Sequence, residues 1–217
     1  MFLVSPPVQL DSDQYILPFL DKAKEKGVKK VVLLSAMGAN QNPAGPLYNI
    51  EQKIQDEEFR YSFLRPTFFM ENFSEGAFSY PIKSDGVIAL PAEKGKISFI
   101  ASDDIAQSAV VALTTDKADD TGWELTGPVS MDHHEAAEKI SVATGKNVKY
   151  VPIKQKEMDE AMKESGADDS SITYMNMLFS AVRDGHTDVV TRAVSEITGK
   201  EPTSFDKFAE QNRQSWI

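Results

Sequence analysis

The chain is 217 residues long, 41% hydrophobic and 26% charged, with 33 acidic against 23 basic side chains for a net charge of −10. That is the composition of a globular chain, and its acidic balance argues against binding duplex nucleic acid, which needs a basic stripe. The absence of cysteine excludes disulfides, thiol nucleophiles and cysteine-ligated zinc, no apolar run approaches the ~20 residues that span a bilayer, and no signal-peptide pattern opens the chain, so a cytoplasmic protein off the membrane is expected.

Met1–Val4 with Ser5-Pro6-Pro7 behind it predicts a strand buried on both faces. Asp11-Ser12-Asp13 offers N-cap oxygens to a helix that runs to about Lys26 and stops at Gly27, with Pro18 predicting a kink or a late start. The lysines at 22, 24, 26, 29 and 30 fit a solvated helix end. Lys29–Ser35 is the next buried strand and Met37–Pro46 a Gly/Asn/Pro-rich loop. A helix follows over about Leu47–Glu57 with Leu47, Ile50 and Ile54 on one face, then a third strand at Tyr61–Arg65. Alternation of strand and helix at this spacing predicts βαβ units and a parallel sheet.

Further along, Gly86–Leu90 and Lys96–Ile100 are expected as short strands, and Ser102-Asp103-Asp104 as the cap of a helix over Ile105–Thr114. Trp123–Thr126 predicts a strand, Met131–Thr144 a helix ended by Gly145, and Val148–Ile153 a final strand before a helical remainder. Met158 with Met162, and Met175 with Leu178, Phe179 and Val182, form stripes that suit core packing or an adaptable lid.

In open parallel sheets ligands bind beyond the carboxyl ends of the strands. Those ends are Ser5-Pro6-Pro7, Ser35-Ala36-Met37-Gly38 and Arg65-Pro66-Thr67-Phe68-Phe69, each mixing small, polar and turn-forming residues.

The segments Phe2–Pro7, Ala23–Val32, Leu34-Ser-Ala-Met-Gly38 and Leu64-Arg-Pro-Thr-Phe-Phe-Met-Glu-Asn72 resemble the NmrA-like family of atypical short-chain dehydrogenase/reductase proteins. Ser102-Asp-Asp-Ile-Ala106 and Leu125-Thr-Gly127 continue the likeness over most of the chain. The resemblance implies an α/β fold: a Rossmann-like parallel sheet cut short at its N-terminal side, with a smaller, mostly helical C-terminal α/β region as substrate or lid part. It places a partial NAD(P)-binding core at 1–127 and a substrate or lid region at 128–217, together one compact unit. It also implies NAD(P)H as cofactor, held by Ser5, Pro6, Pro7, Ser35, Ala36, Pro66, Thr67 and Phe68. A quinone-like or aromatic substrate would lie against Phe69, Asn72 and Phe73, with no metal. The family's opening Gly-rich phosphate turn has no counterpart here, since neither G-x-G-x-x-G nor G-x-x-G-x-x-G occurs. The implied start is therefore the fourth strand of the fold, with weakened cofactor binding. As an apolar edge, that strand invites a second copy or a rearranged N-terminus.

The superfamily's Tyr-x-x-x-Lys dyad is missing as well: the resemblance puts Leu47 and Glu51 at its two positions, and Tyr48 and Lys53 lie about 140° apart on a helix. Glu51 then fits an exposed or locally paired carboxylate. Ser35 is the single catalytic candidate, resembling the serine that polarises a substrate carbonyl, with plain turn chemistry as its alternative. His133 and His134 point in different directions on a helix and fit a solvated helix start. The resemblance implies an NAD(P)H-dependent quinone or azo-compound reductase. The alternatives are a non-catalytic NAD(P)-sensing regulator with a protein partner, or a shortened form with impaired cofactor binding.

Overall fold

The computed structural model describes all residues except Pro7, Val8 and Ala77, so the expectation for Pro7 lies outside the described residues. The chain forms two compact units. One comprises Met1–Thr67, Asp103–Leu125 and Thr191–Glu201, the other Phe68–Ser102, Thr126–Val190 and Pro202–Ile217. In chain order the elements are β1 (Phe2–Val4), α1 (Asp13–Glu25), β2 (Lys30–Leu34), α2 (Pro46–Asp56), β3 (Arg60–Pro66), α3 (Glu71–Ser74), α4 (Ser79–Asp85) and β4 (Val87–Leu90). They continue with α5 (Ser102–Thr114), β5 (Thr121–Leu125), α6 (His133–Thr144), β6 (Lys149–Pro152), α7 (Gln155–Glu164), α8 (Asp169–Arg183), α9 (Ala193–Thr198) and α10 (Phe205–Gln211).

The first unit is built on a four-stranded parallel sheet in the order β1-β2-β3-β5. Apolar residues at alternate positions put Leu3, Val31, Leu33 and Phe63 on one face. There they meet Ile16 and Leu20 of α1 and Ile50 and Ile54 of α2. These side chains recur every three or four residues in their helices, which is the period that turns one helical stripe to the sheet. The opposite face carries Ser62, whose hydroxyl donates to the Ala118 carbonyl just past α5. Two expectations are corrected here. Strand β1 lies at the sheet edge, as the resemblance implies, and is not buried on both faces: Phe2 and Val4 are 44% and 51% exposed and only Leu3 is buried. Helix α1 runs through Pro18 without a late start; the proline sits on the exposed side of a helix anchored by Ile16, Leu20 and Ala23.

The second unit pairs β4 with β6 in a two-stranded parallel sheet beside an aromatic-rich core. Phe73 meets Phe99 and Phe205 edge to face at 5.1 and 5.4 Å, and the Trp216 indole donates to the Phe73 carbonyl at 2.7 Å. Helix α6 starts with a complete capping box, Asp132 accepting from the Glu135 N–H and Glu135 from the Asp132 N–H. Gly127 has to be glycine: its N–H donates to the Ser98 carbonyl, and a Cβ there would lie 1.9 Å from the Phe99 oxygen. Segment 96–100 is not the expected strand but is held by the isolated bridges Ile97–Met131 and Phe69–Ile100. Its apolar run reflects burial on every side, with Ile97, Phe99 and Ile100 nearly sealed. Helices α3 and α4 have no counterpart among the expected elements. Among the described residues, no helix is long and apolar enough to cross a membrane.

Candidate functional site

Strand register builds the site in the first unit. Leu3, Leu33, Phe63 and Gly122 are cross-strand partners, and Val4, Leu34 and Leu64 follow in step. One residue on, Ser5 and Ser35 leave their strands alongside Arg65, whose partner is Glu124. Ser5, Ser35, Arg65 and Glu124 thus make one row along the carboxyl rim of all four strands, where open α/β sheets place their ligands.

Above this row, α2 lowers Glu51, which is 1% exposed. The Arg65 guanidinium grips it with two bonds, Nε to Oε1 at 3.0 Å and Nη2 to Oε2 at 2.5 Å. The Ser35 hydroxyl donates to the same Oε1 at 2.6 Å. On its far side Arg65 reaches Glu124 at 3.4 Å, a longer contact, and Glu124 Oε2 is buried with no hydrogen-bond partner. The guanidinium can lie in this plane because residue 122 has no side chain: a Cβ there would be 2.5 Å from Arg65 Nη1. The Phe63 ring flanks it at 5.8 Å.

The charges in this cluster are unequal. Desolvation works against the Arg65 cation, but the hydrogen bonds and charge of Glu51 outweigh it and hold its pKa above the ordinary arginine value. Glu124 is pushed up, first by desolvation and further by the Glu51 charge, with Arg65 and the nearby Gly38 amide pulling only partly the other way. A bidentate, charge-assisted pair holds Glu51, and Glu124 is left the less satisfied of the two carboxylates.

Of the cofactor-side candidates, Ser35 and Thr67 are buried, Pro66 is buried within β3, Ser5 and Ala36 keep some surface and Pro6 is exposed. The Ser35, Met37 and Thr67 N–H groups donate to the Leu64, Pro66 and Leu125 carbonyls, extending the ladders past the strand ends. The remaining candidates belong to the second unit. Phe68 is half-buried with its ring 6.2 Å from Phe179, Phe69 and Asn72 keep partial surface, and Phe73 is fully enclosed in the aromatic core. Phe73 therefore has no face to offer a ligand.

Two other readings change. Glu51 is neither exposed nor paired only within its helix. His133 is not a solvated helix end but is 1% exposed, stacked on Tyr150 at 5.2 Å and edge-on to Phe99, whereas His134 is exposed. Lys53 turns away from the rim to Asp21 and Glu57, at 2.6 and 2.9 Å. Arg65 was legible in sequence only as a strand-end residue, and Glu124 not at all. A usable signal was that Glu51 falls on the 47-50-54 apolar stripe of α2, where a carboxylate needs a buried cation.

The NmrA-like family model matches residues 16–209. An uncharacterized oxidoreductase of Bacillus subtilis is 36% identical over 216 residues, covering 100% of this chain and 75% of the relative. An NAD(P)H azoreductase of Xenophilus azovorans is 31% identical over 215 residues, covering 96% and 73%. Among solved structures, an NADPH-dependent quinone oxidoreductase from Escherichia coli complexed with NADPH shares the fold with a TM-score of 0.84 at 20% identity, covering 97% of this chain and 75% of that one. The chain spans about three quarters of the length of each.

Proposed function

The chain belongs to the NmrA-like family, and from that membership we propose that it is an NAD(P)H-dependent oxidoreductase acting on a flat quinone- or azo-type acceptor. The observation that carries this reading is the row Ser5–Ser35–Arg65–Glu124, a polar shelf at the sheet end where this fold class seats a nucleotide. Relatives named as an azoreductase and a quinone oxidoreductase support the acceptor class.

The candidates for the nicotinamide end of the cofactor are the small residues Ser5, Ser35 and Ala36, with Pro6, Pro66 and Thr67 next to them in the strand-end segments. For the pyrophosphate these 217 residues supply no glycine-rich turn. Bound NAD(P)H would supply the hydride, and this chain's part is to seat the ring and fix its polar group. With Leu47 and Glu51 at the dyad positions no tyrosine acid stands over the shelf, so a reduced quinone takes its proton from water. Calorimetric titration should give weak but saturable binding, with a Kd of roughly 0.1–1 mM. No heat at saturating NAD(P)H would overturn the reading. Loss of absorbance at 340 nm on adding a quinone identifies a reductase, and binding without consumption identifies the sensing alternative, which the missing dyad favours.

Assembly belongs to the same proposal. The free side of β1 carries unpaired backbone groups beside exposed Phe2 and Val4, and a second copy would cover them. Sedimentation should show a concentration-dependent dimer that F2K/V4K disperses. A monomer with fast-exchanging amides at residues 2–4 refutes it. Cytoplasmic residence rests on the cysteine-free sequence.

A further inference from the structure

Two sides of helix α1 are occupied. Ile16, Leu20 and Ala23 face the sheet. Asp13, Asp21 and Lys24 face α2, where they meet Asn49, Lys53 and the Glu57 carbonyl. With 3.6 residues per turn, the flank turned away from α2 carries Asp11 at the head of the helix, then Tyr15, Phe19, Lys22 and Lys26. All five are exposed, Tyr15 at 63% and Phe19 at 49%. Because α1 joins β1 to β2 and α2 joins β2 to β3, this flank overlooks the free side of β1. The backbone below it is open. The Met1 carbonyl accepts from the Val32 N–H, so by alternation the N–H and C=O groups of Phe2 and Val4 point outward.

The flank is complementary to itself when run in the opposite direction. Its order is acid, aromatic, aromatic, lysine, lysine, and it is symmetric about the turn at Pro18–Phe19: Asp11 and Lys26 lie equally far from that point, as do Tyr15 and Lys22. Ile16 and Leu20, which share a core with Leu3, straddle the same turn, so a two-fold axis at Leu3 suits strand and helix together. The Lys22–Glu25 ion pair on this flank is exposed at both ends and costs little to give up.

We infer that two copies of this chain join about such an axis. Antiparallel pairing exchanges N–H···O bonds between Phe2 and the partner's Val4, and between Val4 and the partner's Phe2. Beside this ladder α1 lies antiparallel on its counterpart, with Asp11 against the partner's Lys26, Tyr15 against the partner's Lys22 and the two Phe19 rings at the centre. A parallel arrangement would set lysine on lysine. The inference rests on the β1 assembly proposed above and adds to it a helical surface and an orientation.

The test is sedimentation equilibrium at low salt on the wild type, K26E, D11K and an equal mixture of the two variants, with circular dichroism confirming that each is folded. Each variant alone sets like charges against one another at two symmetry-related contacts, and its dimer Kd should rise roughly tenfold. In the mixture every such contact is again between opposite charges, and association should return to within about twofold of wild type. Wild-type association by both variants, or a mixture no tighter than its components, overturns the inference and leaves the dimer resting on β1 alone. A monomeric wild type removes the assembly reading and this inference with it.

Discussion

Replacing Arg65 with leucine is expected to lower folding stability by about 3–5 kcal/mol, the range for breaking a buried ion pair from one side. The loss comes less from the missing attraction than from what stays behind. Glu51 at 1% exposure would keep a single hydrogen bond, from Ser35, and has no path to water. For a chain of this size the melting temperature should drop by roughly 10 °C, read at the transition that reports the first unit. Lysine in place of Arg65 keeps a charge but not the planar fork that fills both Glu51 oxygens, so R65K should fall between wild type and R65L.

Replacing both partners separates these terms. E51L/R65L removes both charges together and should be less destabilised than R65L alone, because an apolar pair of similar volume often does as well as a buried ion pair. Glu124 then loses its cation too, though its side chain keeps 30% exposure. Urea midpoints at constant m would check the whole cycle. A loss under about 1 kcal/mol in R65L would mean that water reaches Glu51.

The sheet was legible because its strands are short apolar runs at regular spacing, and that pattern has one parallel solution. The same pattern misled on the burial of β1, whose edge position came from the resemblance alone. An apolar run says what a strand prefers, not whether anything covers it, and Phe2 and Val4 have no cover. Segment 96–100 failed for the converse reason, since burial without a neighbouring strand looks like a strand in sequence. At the rim, Ser35 could be found by its place after β2, but its partner could not. Glu51 and Arg65 are 14 residues apart and meet only once α2 folds back over β3. Gly122 gives no hint of its task until the Arg65 guanidinium is seen lying over it.

His133 is where the same blindness has the largest consequence for behaviour in solution. Its side chain sits among Phe73, Phe99 and Tyr150, and its Nδ1 has no partner. Desolvation is the main reason its pKa drops from 6.5 to about 4; Asp132 opposes the drop and His134 adds to it. Its place in the first turn of α6, near the positive end of the helix dipole, disfavours the cation as well. The sign follows from which state binds the proton. Above pH 6.5 the ring is neutral in both states and the folded chain keeps its full stability. Between 6.5 and 4 the unfolded chain is protonated and the folded one is not, so each pH unit removes about 1.4 kcal/mol. Below 4 the loss levels off at roughly 3 kcal/mol. H133F keeps the ring packing without the titration, so from pH 7 to pH 5 the wild type should lose about 2 kcal/mol more than H133F in urea unfolding. Equal losses would mean that the ring takes up its proton at the ordinary value, and that the aromatic cage opens to water far more readily than its packing requires.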